Sequence, residues 1–154
     1  MLKYYNYDIV FQEVPDEVTL AVNLSNCPNH CPGCHSPHLC KDIGNCLDEE
    51  AISDIISKYD RCITCFCFMG GDANQDEVIR MAEYVHKNFN KKVAWYSGKQ
   101  SFPKDITPFQ YLKLGPYNPK FGGLDKKTTN QRMYKINSTK QPIDITERFW
   151  KKAI

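Results

Sequence analysis

Apolar and polar positions alternate along the chain with two periods. Residues 18–25, VTLAVNLS, form a run rich in β-branched and apolar residues, the pattern of a buried strand. Asp48 then stands where a helix cap belongs, ahead of Ile52, Ile55, Ile56 and Tyr59 at helical spacing. CITCFCF (residues 62–68) reads as a second buried strand and ends at Met69-Gly70-Gly71-Asp72. Asn74 and Glu77 have the spacing of a capping pair for a second helix, with Val78, Ala82, Val85 and Phe89 as its core stripe. KVAWYSG (92–98) predicts a third strand and FQYLKLG (109–115) a shorter fourth.

Strands that alternate with helices build βαβ units around a mostly parallel sheet, so the predicted class is α/β. Binding sites in such sheets gather at the carboxyl ends of the strands. Gly70-Gly71-Asp72, Ser97-Gly98, Lys113-Leu114-Gly115 and the loop after residue 25 would all lie on that edge. No internal repeat or low-complexity linker divides the chain, and 154 residues suit a single domain, 1–154.

Charge changes this picture little. Twenty basic against eighteen acidic residues leave a formal charge of +2, and the basic residues are scattered, which argues against a nucleic-acid partner. The opening MLKYYNYDIVFQEV lacks the apolar core of a signal peptide, and no apolar run approaches the ~18 residues of a membrane span. A cytoplasmic protein without membrane contact is the expectation. Eight cysteines in such a chain point to metal binding or catalysis rather than to a disulfide framework.

Three of those cysteines fall in CPNHCPGCHSPH, residues 27–38, which admits four readings. Cys31-Pro-Gly-Cys34-His35 has the form of a haem attachment site, but that belongs to exported chains and leaves Cys27 unexplained. CPGC alone has the form of a redox dithiol, yet Pro37 fits poorly with a helix starting at Cys31. Cys27, Cys31, Cys34 and His38 could close a zinc tetrahedron, which would stabilise a loop and do no chemistry. Alternatively, Cys27-x3-Cys31-x2-Cys34 supplies three ligands to a 4Fe–4S cluster and leaves one iron with open coordination. Zinc and cluster both remain open on these residues alone.

C-x3-C-x2-C after a buried strand resembles the signature of radical S-adenosylmethionine enzymes. Gly70-Gly71-Asp72 is similar to their Gly-Gly-Glu turn. CPGCH and TTNQRMY (residues 128–134) resemble a narrower group, the activating proteins of anaerobic ribonucleoside-triphosphate reductase, with similarity from about residue 8 to 137. The resemblance implies a reduced partial (βα) barrel with a curved sheet; a complete eightfold barrel needs ~250 residues. It implies two cofactors, a 4Fe–4S cluster and S-adenosylmethionine. The implied activity is reductive cleavage of that molecule to methionine and a 5′-deoxyadenosyl radical, which takes a hydrogen atom from a glycine near the C-terminus of the large reductase subunit.

By the same resemblance Cys27, Cys31 and Cys34 are the catalytic cluster ligands, and Gly33, Cys34 and His35 adjoin the bound S-adenosylmethionine. Gly70, Gly71 and Asp72 position its amino group, Lys113 meets its carboxylate, Ser97 and Gly98 line the pocket, and Asn130 and Arg132 close it. Reduced flavodoxin or ferredoxin is the implied electron donor. The chain departs from the family at Asn26, where glycine is usual, at QEVPDEV (12–18), which replaces a Gly-rich turn, at Gly33 and at Asp72. The alternatives are an activase of another glycyl-radical enzyme, another small radical enzyme, or a zinc-stabilised binding module.

The other features have plainer readings. Cys65 and Cys67 would share one strand face and Cys62 the other, packing as small hydrophobes. Cys40 and Cys46 would be loop thiols. Residues 116–127 form either a lid or a connection, and the tail ERFWKKAI either docks a partner or packs on its own domain.

Overall fold

The computed structural model describes residues 2–25 and 43–150. Strands β1 (Lys3–Val10), β2 (Thr19–Leu24) and β3 (Asn45–Cys46) precede helix α1 (Glu49–Tyr59). Strand β4 (Cys65–Met69), helix α2 (Gln75–Phe89), β5 (Lys92–Tyr96) and β6 (Tyr111–Leu114) follow, then β7 (Arg132–Ile136) and β8 (Pro142–Asp144). All eight strands join one sheet in the order β3-β1-β2-β4-β5-β6-β7-β8. Its centre, β2-β4-β5-β6, is parallel. Antiparallel strands flank it on both sides, so four of the seven pairings are antiparallel and the expected mostly parallel sheet is corrected to a mixed one. No described helix is long and apolar enough to cross a membrane.

Both helices cover one face. Leu20, Val22 and Leu24 of β2, Phe66 and Phe68 of β4, and Val93 and Trp95 of β5 meet Ile52, Ile56, Val78, Met81 and Val85 in the main core. Cys65, Cys67, Ala94, Tyr111 and Met133 line the opposite face under Val14, with Ile145 and Phe149 packed against them. Because β4 is buried on both faces, CFCF reads as a continuous apolar run with no alternation. Residues 11–18 and the short 3-10 turn Thr146–Phe149 cover that second face, where Arg148 Nη2 reaches Asp16 Oδ1 at 2.7 Å. The tail therefore packs on its own domain as far as Trp150.

The Asp48 cap forms as predicted, its carboxylate accepting from the Ala51 amide at 2.9 Å. Cys62 differs from expectation. The Cys62 and Ile63 amides both donate to the Tyr59 carbonyl, so a helix-end turn occupies these residues and β4 starts only at Cys65. Cys62 is thus exposed, while Cys65 and Cys67 are buried. Cys46 is a free, exposed thiol, but in the two-residue edge strand β3 rather than in a loop.

The Asn74–Glu77 capping pair is also replaced. Asn74 makes no side-chain capping bond, and Glu77 instead pairs with Arg80. A 3-10 turn at Asp72–Asn74 leads into α2, with the Asn74 amide donating to the Gly71 carbonyl at 2.9 Å.

Candidate functional site at the carboxyl edge of the parallel strands

Parallel register sets the site. Asn23, Met69, Tyr96 and Lys113 are neighbours across β2, β4, β5 and β6, one row from the carboxyl edge. The chain beyond each of these residues therefore emerges on the same edge: Leu24-Ser25, Gly70-Gly71-Asp72, Ser97-Gly98 and Leu114-Gly115. Ser25 is the last described residue before the cysteine stretch and is buried. Cys27, Cys31, Gly33, Cys34 and His35 lie outside the described residues, as do His38 and Cys40.

The Gly70-Gly71 turn packs directly on the end of β2. Both glycines have positive φ, 105° and 91°. A Cβ on Gly71 would stand 2.6 Å from Val78 Cγ2 and 2.8 Å from Leu24 Cδ1, so glycine is required there for space as well as for conformation. The turn is fixed from the β5 side by two bonds. Gly70 N donates to the Tyr96 carbonyl at 2.9 Å, and Trp95 Nε1 donates to the Gly70 carbonyl at 2.7 Å. Trp95 is fully buried and stacked on Phe109, with ring centroids 5.5 Å apart.

Asp72 and Ser97 are brought together. Asp72 is 8% exposed and Ser97 2%. Ser97 Oγ donates to Asp72 Oδ1 at 2.5 Å, and the Gly98 amide donates to Asp72 Oδ2 at 2.8 Å. The buried carboxylate thus has a donor on each oxygen. Lys113, also 8% exposed, joins the next pair of strand ends, with Nζ 2.7 Å from the Gly115 carbonyl and 3.3 Å from that of Ser97. Its ammonium lies 5.8 Å from the centre of the Tyr96 ring. The edge thus carries a buried carboxylate in the turn after β4 and a buried ammonium on β6, with Ser97 bonded to both.

The side chains of residues 128–131 tie down a loop. Thr128 Oγ1 donates to the Phe121 carbonyl at 2.6 Å and Thr129 Oγ1 to that of Gly122 at 3.0 Å. Asn130 Nδ2 donates to the Pro116 carbonyl at 3.1 Å and Gln131 Nε2 to that of Gly115 at 3.4 Å. Four consecutive side chains therefore pin the 115–122 loop back onto the start of β7, so residues 116–127 are a tethered connection. Asn130 and Arg132 do share a cleft with Gln100, Gly115 and Tyr134 beside the end of β6. Arg132 lies 3.7 Å from Asp144, across the β7–β8 pairing, and both are part-exposed.

Thr129, Gln131 and Trp95 are contributors that the sequence reading missed. The only signal for Trp95 was its place two residues ahead of Ser97 on a buried strand.

Cys65 and Cys67 are buried in the second sheet face and are poor candidates for metal ligands. Burial pushes the Cys65 thiol up from 9.0 to about 12 and raises Cys67 as well, so both stay neutral. Among the described residues no group of three His, Cys, Asp or Glu is placed to hold a metal ion. Cys27, Cys31 and Cys34 place three thiols within eight residues of sequence, a spacing that suits an iron–sulfur cluster.

Fold and site together define a mixed α/β domain with a charged, buried binding edge next to a cysteine-rich stretch. The model of the 4Fe-4S single cluster domain family matches residues 17–107, more than half of the chain, and the chain belongs to that family. It is an iron–sulfur cluster domain, and the matched span contains Cys27, Cys31 and Cys34. No curated protein and no solved structure matches the chain.

Proposed function

We propose that this chain is a radical S-adenosylmethionine activase that generates the glycyl radical of anaerobic ribonucleoside-triphosphate reductase, on a reduced form of the partial barrel. The observation that carries the reading is the buried carboxylate of Asp72 and the buried ammonium of Lys113, both bonded to Ser97, on the edge where β2 runs into the cysteine stretch. Cys27, Cys31 and Cys34 would hold the 4Fe–4S cluster as thiolates. When bound and reduced, the cluster supplies the electron that splits S-adenosylmethionine into methionine and a 5′-deoxyadenosyl radical.

The chain's own residues bind and orient. Asp72 receives the amino group of the methionine moiety, with the Gly70-Gly71 backbone close against it. Lys113 faces the carboxylate of that moiety. Gly33 and His35 would lie near the cofactor, and Asn130 and Arg132 border the cleft at its far side. These groups place the scissile sulfonium and limit water around it, which is the protein's share of cofactor chemistry. The glycine loop of the large reductase subunit is the substrate, and a reduced flavodoxin or ferredoxin is the electron donor.

Anaerobic purification tests the reading. Brown protein with iron and sulfide near four per chain is expected, together with release of 5′-deoxyadenosine under dithionite and a glycyl radical signal on added reductase. Cys27→Ala, Cys31→Ala and Cys34→Ala should each abolish cleavage, whereas Cys65→Ala should retain it. A colourless protein with stoichiometric zinc would refute the proposal in favour of a zinc-stabilised binding module. Cleavage without a radical on this reductase would redirect it to another glycyl-radical enzyme or another substrate.

A further inference from the structure

Ser97 stands on the binding edge, yet its hydroxyl is already committed. A serine hydroxyl has one proton to donate. Here that proton goes to Asp72 Oδ1 at 2.5 Å, and the oxygen accepts from the Lys99 amide at 3.1 Å. The Ser97 carbonyl accepts from Lys113 Nζ, and the Ser97 amide donates to the Lys113 carbonyl at 2.8 Å. Every polar atom of this 2%-exposed residue therefore has a partner within the protein. Gly98 supplies the second bond to the same carboxylate, through its amide at 2.8 Å.

We infer that Ser97 is a positioning residue: with the Gly98 amide it holds the Asp72 carboxylate in register for the ammonium of an α-amino-acid ligand, and it makes no contact with that ligand. The assignment rests on the proposed binding of S-adenosylmethionine and departs from the expectation that Ser97 lines the pocket. The physical argument concerns orientation. A carboxylate at a strand end has two side-chain torsions, and an ion pair with an ammonium loses strength as either oxygen swings away. Two donors, one on each oxygen, fix both torsions before the ligand arrives. Ordering that would otherwise be lost on binding is then already in place. Because Ser97 and Gly98 follow β5 while Asp72 follows β4, the clamp also ties the two loops together.

The test separates an effect through Asp72 from a general loosening. Binding to the reconstituted holoprotein is measured by anaerobic equilibrium dialysis with two probes, S-adenosylmethionine and its analogue lacking the α-amino group. S97A should weaken S-adenosylmethionine binding about tenfold, ~1.4 kcal/mol, and leave the desamino analogue unchanged. In a D72A background, adding S97A should have no further effect. Equal weakening of both probes, or of neither, overturns the inference, as does a full additive loss in the double variant. If the wild-type holoprotein binds neither probe, the proposed function falls and takes this inference with it, whereas wild-type binding that S97A leaves intact overturns this inference alone. Hydrogen exchange at the Gly98 amide reads the clamp independently of any ligand. D72A should speed it, and unchanged exchange would refute the clamp even where S97A does not fold.

Discussion

Two adjacent glycines give the sharpest test of how the site is built. Gly70 and Gly71 have similar positive φ, 105° and 91°, so an alanine at either position carries the same kind of backbone cost, about 1–2 kcal/mol. Their surroundings differ. A Cβ on Gly70 would meet the Leu24 carbonyl oxygen at 3.4 Å and Leu24 Cβ at 3.6 Å, which are ordinary contacts. On Gly71 it would meet Val78 Cγ2 at 2.6 Å and Leu24 Cδ1 at 2.8 Å. Both obstructing side chains are buried in the main core and have little room to yield.

Overpacking of that kind adds about 1–3 kcal/mol, so G71A should cost roughly 2–5 kcal/mol and G70A only about 1–2. Urea unfolding followed by the fluorescence of the two tryptophans, Trp95 and Trp150, reads both variants, with unchanged slopes identifying a true stability difference. Val78→Ala supplies the cycle. Alone it should cost about 1–3 kcal/mol, and combined with G71A it should cost less than the sum by about 1 kcal/mol, because Cγ2 is gone. Equal losses for G70A and G71A, or strict additivity with V78A, would refute the claim that the second helix and β2 leave no space at this turn.

The remaining predictions concern the buried thiols. Burial holds the Cys65 thiol at about 12 against 9.0, so the folded state keeps a proton that the unfolded chain releases earlier. Its contribution is complete below about pH 9 and declines as pH rises toward 12, at up to about 1.4 kcal/mol per pH unit. Cys67 and Tyr96, both raised by burial, steepen that decline. Urea midpoints measured from pH 7 upward should fall beyond pH 9 and fall less in Cys65→Ala; a flat profile through that range would contradict the burial. Brief alkylation of the native protein, mapped by peptide mass spectrometry, should modify Cys46 and Cys62 while sparing Cys65 and Cys67 until urea unfolds the chain. Early labelling at Cys67 would show that the second sheet face is open to solvent.

The elements that were readable in the sequence bury one whole stripe or two whole faces. Asp48 with Ile52, Ile55 and Ile56 announces α1, and the unbroken CFCF run announces a central strand. The missed elements are the flanks. In β1, exposed and half-buried positions follow no clean alternation, because the strand lies between a two-residue edge strand and β2 and its register shifts between Tyr4 and Asn6. Strand β8 spans three residues with none buried. Such strands owe their existence to pairing partners rather than to a face of their own, and antiparallel pairing leaves no long-range mark in the residue pattern. That is why an alternation of strands and helices pointed to a parallel sheet and left its antiparallel margins unseen.

The site divides along a similar line. Its location was legible because parallel strands in register must deliver their carboxyl ends to one edge, and the row Asn23, Met69, Tyr96 and Lys113 does so. The direction in which each polar side chain spends its hydrogen bonds was not legible, since spacing along a chain carries no information about partners across it. Asn130 was expected at the pocket, and its side chain, like those of Thr128, Thr129 and Gln131, donates to a carbonyl of the 115–122 loop. Ser97 looks like a pocket hydroxyl and is bound to Asp72. A motif at a binding edge therefore mixes residues that would touch a ligand with residues that hold those in place. Hydrogen-bond capacity places Ser97 among the latter, since its one proton is already spent on Asp72. Under the proposed function the charges meeting the amino-acid moiety are those of Asp72 and Lys113, and Ser97, bonded to the first through its hydroxyl and to the second through its carbonyl, is the residue that links them.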